Sequence, residues 1–271
     1  MSILYKGVNQ RGFGTWPLRG GEARAAIESA LDVGYRAIDT AQMYENEAEV
    51  GAAVSASGLQ RKDVCITTKV HPDNFAEGTF LASVETSVKK LGGPPDVLLL
   101  HWPPAGGDVV PGLRLLQQAL DRGLVSSIGI SNYTIAMMET ASKILDAPIA
   151  ANQVEMHPLI DQSRLLAAAS RLGIPVSSYC SIAKGKVMDQ PELAEIGAFH
   201  GKTAAQVALR WLLQKGINPI AMSTKRRNQE ANFDVMDFVL SNVQMARIDA
   251  LAARVNARIV THTPWVPEWD A

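Results

Sequence analysis

Short runs of β-branched and aliphatic residues alternate along this chain with longer stretches whose apolar positions recur at helical spacing. The apolar runs are Phe13–Thr15, Tyr35–Ile38, Val64–Thr68, Val97–Leu100, Ser127–Ile130, Ile149–Ala151, Ile174–Ser178 and Ile217–Met222. Their spacing predicts helices at Gly21–Val33, Glu45–Ser57, Phe75–Leu91, Gly112–Arg122, Thr134–Leu145, Gln162–Leu172, Thr203–Lys215 and Arg227–Met236. Ala26, Ile27, Ala30 and Leu31 share one face of the first helix, as Leu165, Leu166 and Ala169 do in the sixth. Two helical segments, Pro191–His200 and Val243–Val255, stand outside the alternation. From Thr261 to Ala271 the chain reads as an irregular arm rich in proline and tryptophan.

The spacing narrows the architecture. Asp39 to Lys69 is 30 positions, Lys69 to His101 is 32, and His101 to Asn132 is 31, the scale of a strand–helix–strand step. Eight such units in 271 residues point to an α/β fold: a single (β/α)8 TIM barrel with two extra helices and a C-terminal arm. Gly34, Gly123, Gly173 and Gly216 fall where helices turn back into strands. The rival is an open doubly wound sheet, which calls for a Gly-rich phosphate loop after the first strand. Gly12-Phe13-Gly14 has no third glycine to complete one. No linker or low-complexity stretch divides the chain, so residues 1–271 are expected to form one domain, with a small hairpin at the barrel floor ahead of the first strand.

Composition changes little in this picture. Twenty-six basic against 27 acidic residues give no reason to expect binding to nucleic acid or to an anionic membrane. No stretch approaches the roughly 20 apolar residues of a membrane span, and the opening residues lack the apolar core of a signal peptide. Cys65 and Cys180 sit in apolar runs and read as small buried hydrophobes, which makes a reducing cytoplasm the expectation. The five histidines show no ligand spacing, so no metal is expected.

Candidate chemistry gathers at strand ends, since the carboxyl ends of barrel strands share one face. Asp39, Lys69, His101, Asn132, Gln153 and Tyr179 all fall there. Singly, each has a plain structural reading: a strand-end Asp caps a helix, a lone His is a satisfied structural residue, a lone Lys faces solvent. Together with Tyr44, just after Asp39, they make a proton-transfer set. A lysine at a barrel mouth is costly to bury unless paired, and Asp39 is its candidate partner. A nearby ammonium favours phenolate and lowers a tyrosine's pKa. Tyr44 would then protonate a carbonyl oxygen that His101 orients. No side chain supplies hydride, so a nicotinamide is required. Ser131, Asn132 and Gln153 suit its carboxamide, and Tyr179 offers a ring face. Trp16 and Trp102 are candidate walls of the substrate pocket. His157-Pro158 is read as structural.

Six ordered motifs carry a resemblance: Phe13-Gly14-Thr15-Trp16, Asp39 through Tyr44 to Glu47, Thr67-Thr-Lys69, Leu100-His101-Trp102-Pro103, Gly129-Ile-Ser131-Asn132, and Asn152-Gln-Val-Glu-Met-His157-Pro158. In this order, with Asn232-Phe233-Asp234 in the eighth helix, the chain resembles the aldo-keto reductases, closest to bacterial diketogluconate reductases. The resemblance implies an NAD(P)H-dependent oxidoreductase that reduces aldehydes or ketones of small carbonyl compounds. It implies a catalytic tetrad of Asp39, Tyr44, Lys69 and His101, and a monomer more often than an oligomer. Cofactor contacts are implied at Thr15, Trp16, Asp39, Ser131, Asn132, Gln153, Tyr179, Ser223, Thr224, Lys225 and Asn232. The alternative is a cofactor-sensing regulatory or binding subunit on the same barrel; a metal-dependent isomerase would want more clustered carboxylates.

The chain departs from that pattern where the adenosine 2′-phosphate of NADPH is gripped. Ala221-Met222-Ser223 stands where the family often has Pro-Lys-Ser, and Asn228 stands where an Arg is usual. Two charged contacts of about 1.5–3 kcal/mol each are thereby lost. Lys225, Arg226 and Arg227 lie in the same loop and offer replacements, unless they form only a solvated turn. NADPH is therefore placed ahead of NADH. A second departure is Tyr179-Cys180-Ser181-Ile182 in place of Ser-Pro-Leu after the tyrosine. Cys180 is read as an inert thiol, and the loop Ile182–Val187 as either a cover for the pyrophosphate or a plain surface loop.

Overall fold

The structure, a computed structural model, describes residues 10–270. Eight parallel strands close into a barrel in sequence order: β1 Gly12–Gly14, β2 Ala37–Asp39, β3 Cys65–Val70, β4 Val97–Leu100, β5 Ile128–Ser131, β6 Ile149–Glu155, β7 Val176–Tyr179 and β8 Asn218–Ala221. The last pairs with the first through Gly12 beside Ile220. Outside run α1 Gly20–Val33, α2 Glu47–Ala56, α3 Phe80–Leu91, α4 Val110–Asp121, α5 Ile135–Ile144, α6 Ser163–Leu172, α8 Ala204–Gln214 and α9 Arg226–Phe233. The additional helices are α7 Pro191–His200 and α10 Asn242–Val255. This is the (β/α)8 TIM barrel expected from the spacing, with both extra helices in place. The hairpin expected ahead of β1 lies outside the described residues.

Boundaries shift for local reasons. Helix α2 begins two residues late because Glu45 adopts a left-handed φ of 57°, which breaks the helical path. Helix α3 begins five residues late, since His71-Pro72 starts a separate short 3-10 turn over Pro72–Asn74. Strand β6 runs four residues further than its apolar run, carrying Asn152, Gln153 and Glu155 inside the ladder. Capping boxes open α8 and α10: Thr203 and Ser241 each accept from the backbone of a glutamine three residues on, which reaches back in turn.

Strand alternation sorts the side chains, because residues two apart share a face. Ile38, Ile66, Leu98, Leu100, Ile128 and Ile130 face the helices and build the two large apolar clusters. The other parity fills the barrel. Ala37, Cys65, Val97, Leu99 and Ala151 form a small apolar cluster, which the adjacent Ala150 joins where the β5–β6 register shifts, while Asp39, Lys69 and Gln153 stand two or four residues further along the same strands. The barrel is thus apolar low in its interior and ionic at its mouth. Among the described residues no helix is long and apolar enough to cross a membrane. Cys65 is buried and Cys180 half-buried.

Gly129 in β5 makes room for this interior. A Cβ there would lie 2.7 Å from Leu99 Cδ2 and 2.8 Å from the carbonyl oxygen of Ala151. The leucine can rotate, but the backbone oxygen cannot withdraw without breaking the ladder. Gly129→Ala is therefore expected to lower stability by about 1–3 kcal/mol through overpacking, read as a lower urea midpoint at unchanged slope.

Candidate active site

The barrel mouth holds a buried ion pair. The Lys69 ammonium donates to Asp39 Oδ1 at 2.6 Å, to the carbonyl of Thr40 at 2.9 Å and to the Tyr44 hydroxyl at 3.3 Å. Lys69 is wholly buried and Asp39 nearly so. The second carboxylate oxygen of Asp39 accepts from Gln153 Nε2 at 2.8 Å. Burial pulls the lysine pKa down, but the carboxylate and phenol beside it outweigh the burial and hold it above its ordinary value. Lys69 is a fixed cation at neutral pH.

Tyr44 sits above this pair. Its ring lies 5.4 Å from the His101 ring, edge-on, and 5.3 Å from that of Trp16. Burial pushes the phenol pKa up; Lys69 pulls it down without cancelling the burial. The expected lowering is therefore reversed in the net direction, because desolvation of the phenolate is the larger effect. The phenol stays protonated, and since its oxygen accepts from Lys69, its hydrogen is free for another acceptor. Burial, and then the charge of Lys69, hold His101 well below its ordinary pKa. That ring is neutral, and its buried Nδ1 has no hydrogen-bond partner among the described residues.

The turn carrying Tyr44 is held by two residues that lie within the Asp39–Glu47 motif but to which the sequence assigned no role. Gln42 Oε1 accepts from the backbone N–H of His71 at 2.9 Å and from Asn74, while its amide reaches Ser83 and Ser87 on α3. Asn46 donates to the carbonyls of Thr15 and Leu18 and accepts from the Thr40 hydroxyl. Gln42 and Asn46 thus fix the short helical turn Gln42–Tyr44 from both ends. A polar residue in a turn gives no hint of partners some 30 positions away. Asn46 precedes α2 in the N-cap position, and that was the nearest thing to a signal.

A second network crosses the mouth. The Tyr179 hydroxyl donates to Asn132 Oδ1 at 2.7 Å, and Asn132 Nδ2 donates to the His101 carbonyl and to Ser131 Oγ. Ser131 donates to the carbonyl of Gln153 at 2.8 Å. Asn132 holds a left-handed φ of 63°, which asparagine tolerates better than most residues. The proposed tetrad and the amide set therefore share one continuous hydrogen-bonded floor.

The remaining predicted residues are placed differently. Thr15 is buried, with its hydroxyl on the Asp39 carbonyl at 3.0 Å; it braces the strand end instead of facing the mouth. Trp16 is half-exposed beside Tyr44, whereas Trp102 is buried with its ring 6.5 Å from His101. Ser223 caps the turn after β8 by accepting from the Lys225 N–H. Thr224 and Lys225 are exposed, and Asn232 is buried on α9. The basic trio is divided: Arg226 pairs with Asp32 and with Glu230, while Lys225 and Arg227 form no ion pair among the described residues. Burial pushes the Cys180 thiol up to about 11, so it is protonated at neutral pH. Lys184 and Lys186 are exposed on a short helical segment after β7.

The Aldo/keto reductase family model matches residues 6–253. The chain is 38% identical over 263 residues to methylglyoxal reductase DkgB of Escherichia coli O157:H7, covering 96% of this chain and 98% of that protein. A solved structure of a candidate 2,5-diketo-D-gluconic acid reductase B superposes with a TM-score of 0.93 at 45% identity, over 97% of this chain and 94% of the other. A Bombyx mori aldo-keto reductase in complex with NADP superposes with a TM-score of 0.86 at 28% identity, over 95% and 93% of the two chains.

The ion pair makes a stability prediction. Asp39→Asn leaves the Lys69 charge buried without its counter-ion, expected to cost about 3–5 kcal/mol. In Asp39→Asn/Lys69→Met the stranded charge is gone. The double variant should therefore unfold at higher urea than the single one, although it carries more changes.

Proposed function

The chain belongs to the aldo/keto reductase family, oxidoreductases acting on carbonyl groups with a nicotinamide cofactor, and on that premise we propose that it reduces small reactive aldehydes and ketones to alcohols with Tyr44 as general acid. The observation that carries this is the Lys69 ammonium bridging Asp39 and the Tyr44 hydroxyl. A carbonyl oxygen placed between Tyr44 and His101 meets the free hydrogen of the phenol and a neutral imidazole. As negative charge builds on that oxygen, Tyr44 passes its proton across. The phenolate left behind faces the Lys69 cation, which Asp39 and Gln153 hold in place. The phenolate anion is thus created beside a charge positioned in advance, and little must move.

The donor set at the mouth fits a nicotinamide. Ser131, Asn132 and Gln153 supply hydroxyl and amide groups for its carboxamide, Tyr179 a ring to stack on, and Trp16 a partly open wall. When bound, the cofactor supplies the hydride that no side chain can. NADPH is the proposed cofactor, with NADH as the alternative. Lys225 and Arg227 are the residues proposed for the 2′-phosphate, and Arg226 is assigned to the Asp32–Glu230 pairing. Residues 1–271 are proposed to act as one domain, a monomer working on small dicarbonyls such as the methylglyoxal named for its relative.

Two measurements test this reading. Tyr44→Phe should lower kcat for methylglyoxal by at least about 100-fold and leave the Kd for NADPH, read by fluorescence quenching, unchanged; retained turnover defeats the mechanism. Lys225→Ala/Arg227→Ala should weaken NADPH binding about tenfold or more and spare NADH, whereas Arg226→Ala should change the ratio less. An unaltered ratio in the double variant removes these residues from phosphate recognition.

A further inference from the structure

Alternation along β6 puts a carboxylate in the mouth that the proposed reaction does not use. Gln153 points inward, onto Asp39. Glu155 is two residues on, so it projects into the same space about 7 Å nearer the opening. Its side chain is fully buried. Oε1 accepts from His157 Nε2 at 3.0 Å and from the backbone N–H of Ile259, and Oε2 accepts from the N–H of Val260 at 2.9 Å. The His157 tautomer follows from its other nitrogen. Nδ1 accepts from the Leu159 N–H at 3.2 Å, so the ring proton is on Nε2 and is donated to the carboxylate. The Leu159 carbonyl takes the N–H of Ala257 at 2.8 Å. The Glu155 to Leu159 segment is thus a socket gripping three backbone N–H groups of the chain just beyond α10.

The gripped segment spans the strand ends. From the socket it reaches His71, two residues beyond Lys69, where the Trp265 ring meets the imidazole edge-on at 5.2 Å. It then returns to the start of α5, where Asp270 accepts from the Ile135 N–H at 2.9 Å. The guanidinium of Arg258 lies 3.8 Å from the Trp269 ring, closing the segment on itself. Its contacts therefore fall after β3, β5 and β6, the strands that carry Lys69, Ser131 and Gln153.

We propose that Glu155, backed by His157, is a positioning residue: it anchors the arm 256–270 as a wall of the substrate opening and so governs carbonyl binding without touching the carbonyl. A carboxylate suits this task because both oxygens only accept, and every group facing them donates. An amide at this position would turn an NH2 toward one of those donors. The substrate side of the proposal rests on the reductase reading; the anchoring does not.

The test uses Glu155→Gln and, independently, Ile259→Pro, which removes one donor from the arm and leaves β6 intact. In each, KM for methylglyoxal should rise about tenfold or more while kcat stays within about threefold. The Kd for NADPH should be unchanged, and chymotryptic cleavage after Trp265 in the arm, followed by mass spectrometry, should accelerate at least about tenfold. If Glu155→Gln does not fold, Ile259→Pro carries the test alone. Wild-type KM, or an arm as protected as in the wild type, overturns the proposal. Loss of kcat with unchanged KM also overturns it, since that assigns Glu155 to the reaction itself. A wild-type protein that turns over no carbonyl defeats the reductase reading instead, and the proteolysis still decides the anchor.

Discussion

A lysine with no solvent exposure is the constraint around which the barrel mouth is organised. An ammonium there is stable only while a carboxylate and further acceptors face it, and Asp39, the Thr40 carbonyl and Tyr44 supply them. Each of these must in turn be held. Gln153 takes the other oxygen of Asp39, Thr15 braces its carbonyl, and Asn46 ties Thr40 to the turn that carries Tyr44. Removing any one of these groups leaves an unsatisfied polar atom in a dry place. The proposed proton transfer and the stability of the barrel therefore draw on the same contacts.

That sharing explains the electrostatic pattern. Burial alone would discharge the lysine, yet it is held above its ordinary pKa; burial also keeps Tyr44 protonated and His101 neutral. One fixed cation, one phenol with a proton to give and one uncharged ring form an arrangement suited to receive a growing negative charge. The strands impose it cheaply. Asp39, Lys69 and Gln153 differ from the apolar residues below them only by being further along the same inward-facing parity.

Most of this was legible in the sequence because polar residues interrupt apolar runs where parallel strands end. Asp39, Lys69 and His101 announce themselves in that way. Strand β6 was shortened to Ile149–Ala151 by the same logic, since Asn152, Gln153 and Glu155 read as the polar terminus of a strand that in fact continues to Glu155. What could not be read were roles defined by partners remote in sequence. Glu155 meets Ile259 across 104 positions, and Gln42 meets Ser87 across 45. Nor did local sequence show that Arg226 was already occupied by Asp32, 194 positions away, which divides a basic cluster that looked uniform. The sign of the Tyr44 shift was missed for another reason: a neighbouring charge can be guessed from sequence, but depth of burial cannot.

The socket on β6 separates two kinds of change open to the chain over time. The hydrogen-bonded floor tolerates little, because its groups satisfy one another. The arm is held there through backbone N–H groups, and almost any amino acid provides one. The side chains at Ala257, Ile259 and Val260 are thus free to drift while the grip at the socket is kept. Such an attachment lets a lineage explore new substrates by rewriting a terminal segment, with the proposed proton-transfer apparatus inherited intact.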